Sequence, residues 1–143
     1  LTERVKELAA AEGLAYDFDR AVMVATGDAH RLTHLAKAHG RGAQMHERLL
    51  RAHLAEGEVL DDPETLVRLG TEVGLPEAEV RRVVAGTEYA DEVEQDLRRA
   101  RRLGITGVPF FVLNDAYAVS GAQPVEVFRS ALRTAHQAEA PAR

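Results

Sequence analysis

The sequence predicts an α/β fold that is mostly helical and carries one β-hairpin near its C-terminus. Through most of the chain, apolar residues recur every three or four positions, which is the spacing of one helix face. This period ends at Gly104, and the apolar run Phe110-Phe111-Val112-Leu113 that follows is typical of a buried strand. Turn residues at 114–116 then lead to a second short strand from Tyr117 to Ser120.

Glycines mark the ends of the six helices predicted before the hairpin. Glycine is the residue most often found in the left-handed position after a helix, and one follows each of these periodic segments. Asp62-Pro63-Glu64 adds a cap, a first-turn proline and an acidic first turn to the fourth segment. Residues 14–18 alternate only weakly, so we expect an extended connector there. The six helices are predicted over residues 2–12, 28–39, 43–56, 63–73, 77–85 and 89–103.

A seventh helix is predicted after the hairpin. Gln123-Pro124 forms its start, because proline is favoured in a first turn, and Val127, Phe128 and Leu132 fall on one stripe. The segment 138–143 is expected to be a frayed tail.

Composition excludes several classes of function. The chain has 18 Lys and Arg against 23 Asp and Glu, a net charge of -5, with both signs dispersed. Phosphate binding normally needs a basic face, so we expect no nucleic-acid partner. No apolar run approaches the roughly 20 residues that cross a bilayer, so we expect no membrane contact. With zero cysteines, the chain has no disulfide, thiolate metal site or thiol nucleophile of its own.

The predicted hairpin poses a physical problem. A lone two-stranded sheet with an apolar strand is marginal in water and leaves hydrogen-bonding edges open. We therefore expect further strands to complete the sheet. An N-terminal segment outside this sequence would supply them, or a second copy would exchange them in a homodimer.

The segment 104–113 is the most informative in the chain. Proline cannot donate to a strand ladder, so Pro109 at the entrance of an apolar strand marks an edge, a bend or a cis peptide bond. Taken alone, this is a turn before a strand. The segment also resembles the thioredoxin-like superfamily, in which a small residue, glycine, valine and a cis-proline precede the third strand and face the redox motif.

Further motifs narrow the resemblance to one branch. These motifs are Asp28-Ala29-His30-Arg31-Leu32, His34-Leu35-Ala36-Lys37, Arg48-Leu49-Leu50 and Val119-Ser120-Gly121-Ala122-Gln123-Pro124. In their order along the chain, they are similar to the FrnE-like, DsbA-type oxidoreductases, and the similarity runs from about Ala9 to Leu132. Members carry a longer N-terminal part with a Cys-Pro-Trp-Cys-like motif, which this sequence lacks, so we expect a truncated form.

The resemblance implies a thioredoxin-like fold of the DsbA type with an all-helical insertion. Residues 1–103 would be the insertion, 104–138 the C-terminal half of the thioredoxin-like domain, and 139–143 a tail. It also implies a thiol–disulfide oxidoreductase, located in the cytoplasm, that acts without a cofactor on a protein or small molecule bearing a thiol or disulfide. Two alternatives stay open: a glutathione-dependent isomerase of the 2-hydroxychromene-2-carboxylate type, and a non-catalytic interaction module.

Site residues follow from the same resemblance. No catalytic residue is expected in this chain, because the nucleophile would lie in the absent N-terminal segment. Asp28 and His30 are candidates for lining a substrate groove, and for Asp28 we favour a capping or dipole-complementing role. The substrate-binding loop would be formed by Thr106, Gly107, Val108 and Pro109. Val108 would keep its backbone free to pair with an extended substrate, a form of strand addition.

The remaining polar clusters have structural interpretations. His30 and His34 lie four residues apart and would share a helix face, but no acidic or cysteine ligand accompanies them, so we expect no metal site. The cluster Arg98, Arg99, Arg101 and Arg102 lies where a helix C-terminus attracts cations. The other histidines are expected to be solvated: His39, His46, His53 and His136.

Overall fold

The computed structural model describes residues 2–139, and their order of elements confirms the predicted mostly helical α/β class. These residues form seven α-helices, one π-helical turn and one hairpin. The elements are α1 (Thr2–Ala11), α2 (Gly27–Ala38), α3 (Gly42–Arg51), the π-turn (Ala52–Glu56), α4 (Pro63–Glu72), α5 (Glu77–Ala85), α6 (Ala90–Arg102), β1 (Phe110–Leu113), β2 (Tyr117–Ser120) and α7 (Val125–Glu139).

Chain contacts divide the molecule into two compact units, Leu1–Asp96 and Leu97–Arg143. This division falls within α6, earlier than the domain boundary expected after residue 103. That expected boundary stays a prediction. Helix α7 continues through Glu139, so residues 138 and 139, which were expected to belong to the frayed tail, are helical. Residues 140–143 of that tail lie outside the described residues.

The core of the first unit is built by α2, α3, α4 and α5. Pairs α4–α5 and α2–α3 make the most extensive contacts between elements. Burying a large aliphatic side chain contributes roughly 1.5–3 kcal/mol, so this cluster is the main source of stability in the unit. The largest fully buried side chains are Leu32, Leu35, Met45, Leu66, Leu69, Val80 and Val83.

The third predicted helix is interrupted. Residues 43–56 were expected to form one α-helix, whereas α3 ends at Arg51 and a π-turn continues through Glu56. The turn lies close to the N-terminal connector at two residues, Leu54 and Gly57. The backbone N–H of Asp17 donates to the Leu54 carbonyl at 2.7 Å, and Gly57 follows the turn with φ of 69°. A Cβ at Gly57 would lie 2.8 Å from the Arg20 carbonyl oxygen, so a side chain there would collide with backbone.

The hairpin and α7 form the second unit. β1 and β2 pair antiparallel, with Phe111 opposite Val119. Asn114 and Asp115 both have positive φ, 53° and 52°, as a tight primed turn requires. Helix α7 covers one face of the hairpin, where the rings of Phe111 and Phe128 meet edge to face with centroids 4.8 Å apart.

Among the described residues, the sheet has only these two strands. The edge of β1 that faces away from β2 is therefore unpaired in this part of the chain. The expectation that further strands complete the sheet stays a prediction. None of the helices in residues 2–139 has the length and apolar character needed to span a membrane.

Candidate functional site

The predicted substrate loop begins where α6 ends. Gly104, with φ of 67°, donates its N–H to the Arg101 carbonyl at 3.0 Å, and Ile105 donates to the Ala100 carbonyl at 3.0 Å. These two bonds are the Schellman arrangement that stops a helix and turns the chain out of its axis. These backbone hydrogen bonds therefore fix the direction in which the loop leaves α6.

At its other end the loop is fixed to the hairpin. The Pro109 carbonyl accepts a hydrogen bond of 2.8 Å from the N–H of Gly121, which extends the ladder one step past Phe110 and Ser120. The peptide bond between Val108 and Pro109 is cis.

Between these two anchors the loop is open to solvent. Thr106, Gly107 and Pro109 are exposed, and the side chain of Val108 is 90% exposed. No group in the described part of the chain hydrogen-bonds the backbone of Val108. A free N–H and carbonyl next to an unpaired strand edge form the arrangement that accepts an extended peptide by strand addition. Binding of a substrate by this loop stays a prediction, and the loop contains no cysteine that could attack a disulfide.

Asp28 does not cap α2, so of the two roles favoured for it, capping and dipole complementation, the structure contradicts only the first. The residue at the start of this helix is Thr26, which makes no side-chain capping bond. The Asp28 carboxylate instead accepts two hydrogen bonds from Arg31, 2.8 and 3.2 Å long. It is acidic in a first turn, so its charge still complements the helix dipole. His30 is exposed one turn from the helix start. Both residues belong to the first unit and the loop to the second, and a groove-lining role for them stays a prediction.

Arg31 is the residue of this motif that the sequence interpretation missed. It is 7% exposed, and its guanidinium donates to the carbonyl oxygens of Val83, Val84 and Glu88. Two of these carbonyls belong to the last turn of α5, where orphan acceptors and the negative end of the dipole favour a cation. Asp28 holds the guanidinium from the other side. The spacing of Asp28 and Arg31, one helical turn, was the signal in the sequence that indicated this pair.

The histidines do not gather around a metal. No cluster of three or more His, Asp and Glu side chains with ligand geometry occurs among the described residues. His34 is half-buried, its Nε2 lies 2.9 Å from a carboxylate oxygen of Asp96, and its ring stacks on Tyr89. The expectation for His53 was wrong, because it is partly buried and its Nδ1 has no hydrogen-bond partner in the structure. Of the other three, His39 bonds Glu79, while His46 and His136 are exposed.

A second buried arginine secures the π-turn. Arg48 donates to Glu72 at 2.6 Å and to Glu56 at 2.8 Å, which connects α3, α4 and the π-turn. The hydrogen bond from Arg48, aided by one from Arg68, lowers the pKa of the Glu72 carboxyl below its ordinary value. The fold therefore stabilises the ionised carboxylate of Glu72 relative to its protonated form.

One member of the basic cluster at the end of α6 forms an ion pair with the hairpin turn. Arg99 binds Asp115 of the hairpin turn at 2.6 Å. Arg98 and Arg101 also interact with other residues. Arg99, Arg101 and Arg102 lie in the last turn of α6, which is the position that the helix-dipole interpretation requires.

Comparison with known proteins identifies the family to which this chain belongs. A family model described as the DSBA-like thioredoxin domain matches residues 1–133. The chain therefore belongs to the DsbA-like thioredoxin domain family, as the sequence resemblance implied.

Two similar proteins are longer than this chain. It superposes on the crystal structure of the probable DsbA oxidoreductase SCO1869 from Streptomyces coelicolor with a TM-score of 0.91 and 46% identity, over 99% of this chain and 61% of that one. It is 31% identical over 100 residues to the uncharacterized protein YwbO of Bacillus subtilis (strain 168), over 69% of this chain and 50% of that protein. The matched part thus spans half the length of the curated relative.

Proposed function

We propose that this chain is the helical and substrate-holding part of a thiol–disulfide oxidoreductase on the FrnE-like branch of its family. The observation that carries the proposal is the free backbone of Val108, exposed beside the unpaired edge of β1. Pairing of this backbone with an extended substrate would hold a disulfide in place for attack. The substrate would be a protein or small molecule that carries a thiol or disulfide, and the location would be cytoplasmic.

The chemistry requires a sulfur atom that these 143 residues do not contain. In exchange, a thiolate attacks one sulfur of the disulfide, a mixed disulfide forms, and the other sulfur leaves as a thiolate. No serine, threonine or histidine can form and then release such an intermediate. We therefore place the nucleophile in a cysteine-bearing N-terminal segment of a longer protein. This chain would be a truncated form of that protein, without the segment. The same segment, or a second copy in a homodimer, would pair with β1.

The test compares the 143-residue chain with a form that carries a Cys-X-X-Cys segment before it, using insulin reduction by dithiothreitol. The longer form should be active and the short chain inactive. Activity in the short chain would refute the sulfur argument. An inactive longer form with both cysteines would favour the isomerase or the interaction module instead.

A pair of substitutions in the longer form tests the loop. Val108→Pro removes the backbone N–H, whereas Val108→Ala keeps it and changes only an exposed side chain. One net hydrogen bond corresponds to about 0.5–1.5 kcal/mol, so kcat/KM should fall roughly two- to tenfold in the proline variant. The alanine variant should keep the starting value. Equal rates for both variants would show that the backbone N–H of Val108 does not hold the substrate.

A further inference from the structure

The sulfur atoms of this sequence lie in two contrasting environments. The sequence has two methionines and no cysteine, so both sulfur atoms are thioethers. Met45 belongs to the core of the first unit and is fully buried. Met23, by contrast, is 90% exposed on the segment that leads into α2. Methionine is usually buried in folded proteins, and a thioether that reaches solvent is open to chemical attack.

The segment that carries Met23 has few internal contacts. Residues 21–25 have no regular secondary structure, and none of their backbone groups hydrogen-bonds another group in the described part of the chain. Val24 packs against the core of the first unit, while Val22 is 40% exposed. An exposed segment with few internal contacts opens locally at little cost. A change of polarity at Met23 would therefore break no backbone hydrogen bond and disturb little packing.

The reaction that fits this environment is two-electron oxidation by a peroxide. A lone pair of the Met23 sulfur attacks one peroxide oxygen and the O–O bond breaks. The sulfur is oxidised to a sulfoxide, and the other oxygen is reduced and leaves, after proton transfer, as water or an alcohol. Water solvates the polar S–O group at the exposed position 23, whereas the apolar core around Met45 would not.

We propose that Met23 is a reversible oxidation site of the folded protein, which reacts with a peroxide and is returned to the thioether by methionine sulfoxide reductases. In the return step, two thiols of the reductant are oxidised to a disulfide, and the sulfoxide oxygen leaves as water. Such an enzyme must reach the sulfoxide, and an exposed side chain on a segment without backbone bonds allows this. The site is independent of the proposed thiol chemistry, because neither step involves the loop at 106–109.

Limited treatment of the 143-residue chain with hydrogen peroxide, followed by peptide mass mapping, tests the site. The first oxygen atom should be added at Met23. Met45 reacts only when the unit opens, and an unfolded fraction of about 10⁻³ or less should make its oxidation at least about a hundredfold slower. The unfolding temperature of the singly oxidised chain should change by less than about 1 °C. Comparable rates at the two sulfur atoms, or a clear loss of stability after one addition, would overturn the proposal.

Two matched variants each delete one sulfur and keep an apolar side chain of similar volume. Met23→Leu should abolish the fast oxygen addition, and Met45→Leu should leave it unchanged. Sulfoxide reductases for both epimers, supplied with dithiothreitol, should restore the original mass of the folded oxidised chain. Reduction that requires prior unfolding in urea would overturn the proposed reversibility.

The longer form with a Cys-X-X-Cys segment, its cysteines blocked by alkylation, provides a further control. Met23 should be oxidised there at the same rate as in the 143-residue chain. Protection of Met23 in the longer form would mean that the N-terminal segment covers this side chain, and the oxidation site would be refuted. Neither result depends on whether the longer form catalyses thiol–disulfide exchange.

Discussion

Replacing Arg31 with methionine should destabilise the first unit more than most single substitutions. Methionine has a similar length and leaves the aliphatic packing in place, but it removes the donors to Asp28, Val83, Val84 and Glu88. Hydrogen bonds to charged groups contribute about 1.5–3 kcal/mol each, and recovering the desolvation of the guanidinium offsets part of the loss. The net loss should be about 2–4 kcal/mol of unfolding free energy.

Urea unfolding followed by circular dichroism measures this loss, and thermal unfolding should show a decrease of roughly 6–16 °C for a chain of this size. Arg31→Lys is the matched variant. It keeps the charge but cannot reproduce the planar fork that reaches several carbonyl oxygens, so it should recover less than half of the loss. A methionine variant within about 0.5 kcal/mol of the original chain would refute the reasoning. The motif around Asp28 would then need a role other than holding the end of α5.

Three further outcomes follow from the structure. Gly70→Ala should destabilise by about 1–2 kcal/mol in urea unfolding, because the new Cβ would lie 3.0 Å from a methyl group of the fully buried Val80; Gly27→Ala, where no atom lies within 4 Å, should be neutral or stabilising. Stability should fall in acid as the pH drops from the ordinary pKa of 4.5 through the lower folded-state pKa of Glu72, and Glu72→Gln should flatten this slope. An unchanged slope in that variant would contradict the assignment to Glu72. Asn114→Ala should cost about 1–2 kcal/mol, since alanine disfavours positive φ, and should speed amide hydrogen exchange in the hairpin.

Most helices and both strands could be predicted because their signals are local. Gly40, Gly74 and Gly104 follow helices and adopt the left-handed conformation. The change of period after Gly104 separated the hairpin from the helices. Such signals depend on neighbours in sequence, so they survive without knowledge of the tertiary fold.

What the sequence did not indicate depends on contacts between distant segments. A π-turn of five residues is too short to show an apolar period different from that of an α-helix, and this one is accompanied by contacts with Asp17 and Arg20, which are distant in sequence. Arg31, the partner of Asp28, lies one helical turn away. Asp28 could cap α2 or bind Arg31, and it binds Arg31 because the carbonyl groups of α5 hold that guanidinium in place.

The exposure of Val108 makes the loop accessible to site-specific chemistry. Because the sequence has no cysteine, Val108→Cys would introduce a single thiol into the chain, on a side chain that is 90% exposed and supports no internal packing. A spin label or fluorophore attached there would report on the loop alone, without competing labelling. Distances measured from it would follow the approach of any bound chain.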